Sequence, residues 1–537
     1  MGSPRRTAVL AALATACTAA IAIVASGGAS PITGPALSDV PAANQKSPGL
    51  SPASKLSPEL RQTLVAQGST KVENPTAAVS YYGYDNDLVT ASGGPQMLPT
   101  PAVMNEAHKT EPDKNTYLVF PRGLSGADPS YFYGTHFLFQ GHEGGSPGYV
   151  TRINLDADAA HRVTVLATTD STGTPIATID GSTWDPWAQR LLFTTESSGA
   201  PTYSATPGYP STVTDVSGAL GRGGYEGIQD DGDGNIWIVE DIGGPSKPGT
   251  TARIPNSFLY RYVPEHPGDL ANGKLQVLQV LNAAGTPITQ TSQSAVNSPD
   301  QLALHVYGSS FRTRWITIHD TAADGNAPFN ANVLAKAANG TPFKRPENGV
   351  FRPGSHFGEF YFDETGDTNA TSVENAAAGG WGSIFELSQD GPSADNGRLS
   401  IFLNGDGVHA GFDNIQFLSR DTLAVVEDAG DTLHGQRNAL DSGYALDADA
   451  DYGNPANQPL RWLAEGRDAS ATIDSANGGF GKNDGDNEIT GIHVSNGDPT
   501  VDGILGERLP DLWHDGWRWF YTQQHGDNPT YEVIPAG

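Results

Sequence analysis

A single cysteine, Cys17, serves a chain of 537 residues. It lies inside an N-terminal apolar run, so a mature chain cut near residue 30 holds none. Disulfides, thiolate metal ligands and cysteine nucleophiles are then excluded together. Basic side chains are also scarce, 31 against 60 acidic ones, for a formal charge of -29. A field of that sign repels nucleic-acid phosphates and anionic membrane surfaces and concentrates cations. Helical periodicity is scarce, which argues against an α/β hydrolase or α/β phosphatase architecture. After the N-terminal run no segment is apolar and long enough to span a membrane. There is no P-loop and no HExxH helix, and the 13 histidines are scattered, so a zinc site is not expected. Gly144-Gly145-Ser146-Pro147-Gly148 has the spelling of a nucleophile elbow. Pro147, however, removes the N–H that should follow the serine in an oxyanion hole.

What is abundant is glycine and proline, 64 and 38 residues, the punctuation of strands and turns. Arg5 and Arg6 precede an apolar run, Ala8–Ala25, and small residues at Ser26–Ser30. Residues 1–30 therefore read as an export signal, by a twin-arginine or general secretory route. Ala14-Thr15-Ala16 is a poor box for lipoprotein cleavage at Cys17. Residues 31–75 read as a Pro/Ser/Ala-rich tether, with a short helix beginning at Ser57-Pro58-Glu59-Leu60. Residues 76–537 read as one domain.

Along that domain a short β-type run repeatedly ends in acid and passes into turn residues. His136–Gln140 leads to Glu143, Leu191–Thr195 to Glu196, and Asn235–Val239 to Glu240 and Asp241. Trp315–His319 leads to Asp320, Phe360–Phe362 to Asp363 and Glu364, and Leu423–Val426 to Glu427 and Asp428. Such repetition of one unit signals a repeat architecture. The expected fold is all-β, a six-bladed β-propeller whose innermost strands end in acid at one mouth of the channel. Long loop insertions, such as Thr202–Gly224 and Ala429–Asn457, take up the remaining length. Asp231-Gly232-Asp233-Gly234-Asn235 reads as a hairpin turn, because the glycine and glutamate positions of an EF-hand loop are not met.

The chemistry of such a mouth is carboxylate chemistry. Glu143, Glu196, Glu226, Glu240, Asp241, Glu347, Glu364, Glu427 and Glu488 stand beside turn glycines or at strand ends. Any one of them suits a solvated turn. Gathered together they would repel strongly at low dielectric, and a cation is the usual remedy. Oxygen-only surroundings favour calcium, magnesium, manganese or ferric iron. Phe343–Asp367 adds a fixed cation, Arg345, two residues before Glu347 and ahead of an aromatic strand that ends in Asp363, Glu364 and Asp367. A guanidinium beside clustered acids is what metal-assisted phosphoryl transfer requires, although a surface ion pair would have the same sequence.

These segments resemble the PhoX-type secreted alkaline phosphatases. His142-Glu143 resembles that family's Asn-His-Glu segment, and Phe193–Ser197 its Leu-Thr-Cys-Glu-Glu segment. Tyr225-Glu226-Gly227 is similar to its His-Glu-Ala, and Arg345-Pro346-Glu347 to its Arg-Pro-Glu. Asn487–Gly491 and Gln524-His525-Gly526 resemble its C-terminal motifs. The resemblance covers nearly all of the chain after the tether. It implies a six-bladed propeller with a central site of calcium and ferric ions, and hydrolysis of phosphate monoesters, with diesters in reach, by in-line attack of a metal-bound oxide or hydroxide. Arg345 would bind phosphate and take part in catalysis with Thr195. Glu143, Glu196, Glu226, Glu240, Glu347, Glu427 and Glu488 would hold metal. Several calcium ions are expected. Thr195 stands where the family has cysteine, Ser197 where it has a second glutamate and Tyr225 where it has histidine, and the missing thiolate counts against iron. The implied protein is a secreted monomer acting on small phosphorylated substrates, with no nucleic-acid partner and no stable membrane insertion. Two alternatives stay open: a calcium-stabilised extracellular propeller that only binds, and a calcium lactonase of similar shape.

Overall fold

Short runs of β-branched and aromatic residues, cut by Gly, Pro, Asn and Asp, favour strands and turns over helices. The computed structural model follows that composition. It describes residues 34–40, 54–86, 109–289, 298–369, 371–437, 439–465, 488–524 and 528–537. The longest described helix, Gly430–Arg437, has 8 residues. The expected export signal, with Arg5, Arg6 and Cys17, lies outside the described residues, as do Asn487 and His525-Gly526. No described helix is long and apolar enough to cross a membrane.

The strands form antiparallel sheets built as meanders. One sheet runs Thr116–Val119, His136–Gln140, Val150–Asn154 and Val163–Ala167, and the next Ser182–Asp185, Arg190–Phe193, Tyr203–Ala205 and Val213–Asp215. A nine-stranded sheet follows. In it, the meander that begins at Tyr225–Asp230 is joined through Phe311–Asp320 to Asn396–Asn404, the outer strand of a meander that begins at Pro346–Phe351. The last two sheets begin at Phe412–Phe417 and Ile489–Ser495. Each borrows a strand from the N-terminal region: Lys55–Leu56 pairs with Leu460–Ala464, and Leu60–Ala66 with Thr530–Pro535. The first strands of successive meanders touch one another in chain order, and the last touches the first. The fold is all-β with a propeller-like arrangement.

Neighbouring meanders pack through aromatic side chains. Trp237 lies edge-on to Trp315 and Phe351, with ring centroids 5.1 Å apart in each pair. The buried Arg261 guanidinium sits 4.7 Å over the Trp315 ring. Trp462 and Trp519 bridge the last two sheets at 4.6 Å. Burying such large apolar surfaces supplies most of the driving force that holds sheet on sheet.

Several sequence expectations change. The segment expected to begin a helix at Ser57 enters the strand Leu60–Ala66, because its edge is paired along the C-terminal strand. Thr202–Gly224 and Ala429–Asn457 are more than insertions; they carry the third and fourth strands Tyr203–Ala205 and Val213–Asp215 of one sheet and the third strand Ser442–Asp447 of another. Trp315–His319 belongs to an extra fifth strand that bridges two meanders, and Asp320 caps a short helix by accepting from the Ala322 N–H. The remaining strands of the acid series are second strands of their meanders, not the innermost ones. Asp231 does close a hairpin. Its carboxylate accepts from the N–H groups of Asp233 and Asn235, the Asn235 amide and the Trp237 indole.

Candidate active site

In an antiparallel hairpin the start of one strand faces the end of the next, so both positions share one rim. Tyr225 pairs with Glu240, Pro346 with Glu364, Phe412 with Glu427 and Ile489 with Gln523. Acids that end second strands and acids that begin first strands therefore gather at the same mouth.

Four of the first strands are bulged at this end; in Ile489–Ser495 the shift lies between Thr490 and His493, and the other three carry acids. The register shifts between Tyr225 and Ile228, between Pro346 and Gly349, and between Phe412 and Ile415. A bulge bends the strand and re-aims the side chain it displaces. The displaced acids are Glu226, Glu347 and Asp413, and their ligand oxygens lie within 4.8 Å of one another. Asp113, Glu143, Asp180 and again Glu226 form a second such group. Glu226 is common to both. Its backbone is pressed against the neighbouring strand: a Cβ on Gly181 would stand 2.1 Å from the Glu226 carbonyl oxygen, so glycine is required there.

These acids lie mostly out of water, and mutual repulsion adds to the cost of burial. Burial comes first, and the neighbouring carboxylates second, in holding Glu143, Asp180, Glu347, Asp413 and Glu488 well above the usual carboxylate range. Burial likewise raises Glu226, against some relief from Asp180. Neither oxygen of Asp180 meets an N–H or O–H donor, and Asp113 Oδ2 also has none. Buried oxygens of this kind need a proton or a cation. An all-carboxylate donor set suits hard metal ions, and these acidic clusters could bind them.

Two cations face the acids. Arg345 adopts φ +55°, a left-handed conformation uncommon outside glycine. Its Nε donates to Asp241 at 3.0 Å and Nη1 to Thr368 at 3.1 Å, while Nη2 lies 2.9 Å from Asp241 and 3.5 Å from Glu347. Burial opposes its charge, but Asp241, Glu347 and Asp428 outweigh that and raise its pKa. The guanidinium keeps 20% exposure, so it can still meet a ligand at the mouth. Lys114 is buried beneath. Its Nζ donates to Asn414 Oδ1 at 3.0 Å. The Asn414 amide donates at 3.0 Å to both Asp413 oxygens, and also to Thr490, whose hydroxyl donates to Asp113. Lys114 thus ties one acid of each group into a single network.

The sequence-predicted residues divide. Glu143, Glu226 and Glu347 belong to the two groups, and Gln524 donates to Glu143 at 2.7 Å. Glu488 and Glu196 face the same acids, with Glu196 exposed at the rim. Glu240 and Glu427 point elsewhere. Glu240 accepts from the Phe258 N–H, the Tyr260 hydroxyl and the Asn332 amide. Glu427 accepts both arms of Arg437 at 2.8 and 2.9 Å and the N–H groups of Ala410 and Ser442. Thr195 is buried, and its hydroxyl donates to the Pro201 carbonyl at 3.0 Å. His142 stacks on Tyr149 at 4.0 Å, with its ring nitrogens on Thr110 and Thr151.

Asp113, Asp180, Asp413, Lys114 and Asn414 were not singled out in the sequence. A signal was present. Tyr225-Glu226-Gly227-Ile228 and Phe412-Asp413-Asn414-Ile415 share an aromatic–acid–turn residue–β-branched order, and Pro346-Glu347-Asn348-Gly349-Val350 varies it by one residue. A repeat search on the strands after the turns, rather than on those before them, would have found Asp413.

The model of the alkaline phosphatase PhoX family matches residues 226–500. Among solved structures, Pseudomonas fluorescens PhoX in complex with vanadate, a transition state analogue, is similar over 94% of this chain and 98% of its own, at 12% identity and a TM-score of 0.55. The periplasmic gluconolactonase of Pseudomonas aeruginosa is similar over 88% of this chain and 99% of its own, at 13% identity, but with a TM-score of only 0.31. No curated protein sequence matches the chain.

Proposed function

The chain belongs to the PhoX alkaline phosphatase family, a family of phosphoric ester hydrolases, and from that premise we propose that it hydrolyses phosphate monoesters, with diesters in reach, at the acid-lined mouth. One observation carries the reading: two carboxylate groups share Glu226 beside Arg345, the partly exposed cation that is fixed by Asp241 and Thr368. Asp113, Glu143, Asp180 and Glu226 would hold one metal ion, and Glu226, Glu347 and Asp413 another. Glu488 and Glu196 extend the anionic surface around them. Metal ions there supply Lewis-acid stabilisation of phosphoryl oxygens and make water a competent nucleophile. Arg345 binds two of those oxygens in a planar fork and offsets the charge that builds as the ester bond breaks. The bulged strands hold the carboxylates still, so little reorganisation accompanies reaction. Calcium fits the oxygen-only donor set. Thr195 brings no thiolate for iron and commits its hydroxyl to a backbone carbonyl.

We take the nine-stranded sheet as two blades fused at their outer edges, which makes six blades in all; the ring of touching first strands supports that count. Export of a monomer by way of residues 1–30 rests on Arg5, Arg6 and the apolar run that follows. The buried Thr195 hydroxyl also favours a second reading, a calcium-stabilised platform without chemistry.

The deciding experiment uses pure protein and a chromogenic phosphomonoester at alkaline pH. The protein is stripped with chelator, then supplied with calcium, or with calcium and ferric iron, and its metal content is measured in each state. Hydrolysis that returns with metal supports the phosphatase. A folded, metal-loaded protein that is inert in every condition supports the platform.

A further inference from the structure

Away from the acid mouth, at the far ends of the strands Tyr225–Asp230, Phe412–Phe417 and Ile489–Ser495, lies a partly open cavity of about 70 Å³. Thr183, Gln229, Asp230, Gln416 and His493 line it, with the Trp184 ring on one side. Asp230 ends the strand Tyr225–Asp230 and is only 2% exposed. Its Oδ2 receives the Thr183 hydroxyl at a long 3.4 Å, and its Oδ1 has no hydrogen-bond partner. None of the described ion pairs includes it. The charged groups that act on it are acids, Asp185 and Asp231, and both spend oxygens on backbone N–H groups of their own turns. His493 accepts the Tyr117 N–H through Nε2, which leaves it neutral with its proton on Nδ1. Burial holds its pKa down, to about 3.

The buried Asp230 carboxylate lacks a counter-charge, and its Oδ1 lacks a donor. Protonation would cancel the charge and still leave an oxygen unmatched at the wall of a polar cavity. We propose that the cavity is a site for one monovalent cation, an alkali-metal ion or ammonium, held by Asp230 and by the neutral oxygens of Thr183 and Gln229. One carboxylate balances one positive charge, whereas calcium sites recruit several anionic ligands. The space holds a handful of waters, so the ion can keep part of its hydration. The site is independent of the acid mouth and of the reaction assigned to it.

Crystals of the whole protein soaked in rubidium chloride test the proposal by anomalous diffraction, alongside thermal unfolding in potassium, ammonium or choline chloride at equal ionic strength. An anomalous peak in coordination range of Asp230 Oδ1 is expected. Potassium or ammonium should also raise Tm by about 2 °C over choline, in line with the stabilisation a ligand confers on the state that binds it. A shift with both salts, together with the peak, identifies a general monovalent site; a shift with ammonium alone, without the peak, identifies an ammonium site. Asp230→Asn should abolish the salt-specific shift. Should that variant fail to fold, Thr183→Val and the wild-type anomalous map decide. Water alone beside Asp230 in rubidium, with the same Tm in all three salts, overturns the proposal.

Discussion

Two sets of acids stand side by side at the mouth of the channel and do opposite things. Glu240, Glu364 and Glu427 end second strands, and each accepts a backbone N–H, from Phe258, Lys344 and Ala410 respectively. Glu226, Glu347 and Asp413 each follow the residue that pairs with one of these glutamates, on bulged first strands, and they converge on one another. Residue type does not separate the sets, and burial does not either. What separates them is what they face: the first set accepts backbone N–H groups, whereas the second accepts only side-chain donors, at Asp413 and Glu347, and faces other carboxylates. The pinned glutamates tie loop to strand, while the converging acids hold a mutual repulsion that a cation or a proton relieves.

The contrast breaks most completely at Glu226, which both groups share. Glu226→Gln keeps the volume and removes the charge. Turnover should fall by roughly a thousandfold or more, as expected when the charge that organises a reaction centre is lost. Metal content should drop with it, while thermal stability of the stripped protein holds or rises. A Glu226→Gln protein that keeps its full metal complement would show that the two groups do not depend on this residue.

Arg345→Ala should separate phosphate from metal. Roughly a hundredfold loss of turnover is expected, the scale of removing one fixed transition-state donor. Metal content should stay close to wild type, because the carboxylates that would hold the ions remain. Near-normal hydrolysis in this variant would remove Arg345 from phosphate binding.

How much of this was legible in the sequence follows from which strand carries which signal. Second-strand acids follow unbroken apolar runs such as Asn235–Val239, so they announce themselves, and the propeller-like fold could be read from their recurrence. First-strand acids sit inside bulges, where Phe412-Asp413-Asn414-Ile415 looks like a broken strand. Glu226 and Glu347 stood out beside turn residues, and the family resemblance gave them a metal-binding role; neither signal supplied Asp413, Asp113 or Asp180. The sequence could not tell Glu427 from a ligand either, because its partner, Arg437, comes from a short helix whose placement only the fold determines. Lys114 was equally illegible, since its neighbours Asn414 and Ile492 come from distant strands.

The pinned set gives the converse of Glu226. Glu427 and Arg437 are paired out of solvent, and removing one partner strands the other. Glu427→Gln should cost about 3 kcal/mol of stability, the usual consequence of breaking a buried ion pair. The folded fraction should keep its metal content and most of its turnover. Chemical denaturation with metal analysis of the folded protein checks both halves. A large loss of metal without loss of stability would move Glu427 into the binding set.

The smallest predicted effect concerns pH, and it tests whether protons stand in for cations among the converging acids. Burial, with Asp441 adding to it, raises Asp428 from 3.8 to about 6, and burial with Asp241 raises Glu196 from 4.5 to about 8. Glu196 is exposed at the rim, where water screens the repulsion, so Asp428 is the firmer guide. A carboxyl whose pKa rises on folding holds its proton more tightly in the folded state. Its contribution to stability is complete below the unfolded value, near pH 4, and is lost as pH climbs through the folded value, here about 6 and then about 8. The buried histidines His142 and His493, both held down to about 3, act in the opposite sense and lose stability as pH falls below their ordinary value of 6.5. They lie outside the two acid groups, so they cancel in the difference between metal-loaded and metal-stripped protein. The rise in Tm caused by calcium should therefore be larger at pH 8 than at pH 5, by a few degrees. A calcium-induced rise that is flat across that range would mean that the acids at the mouth are not exchanging protons for metal.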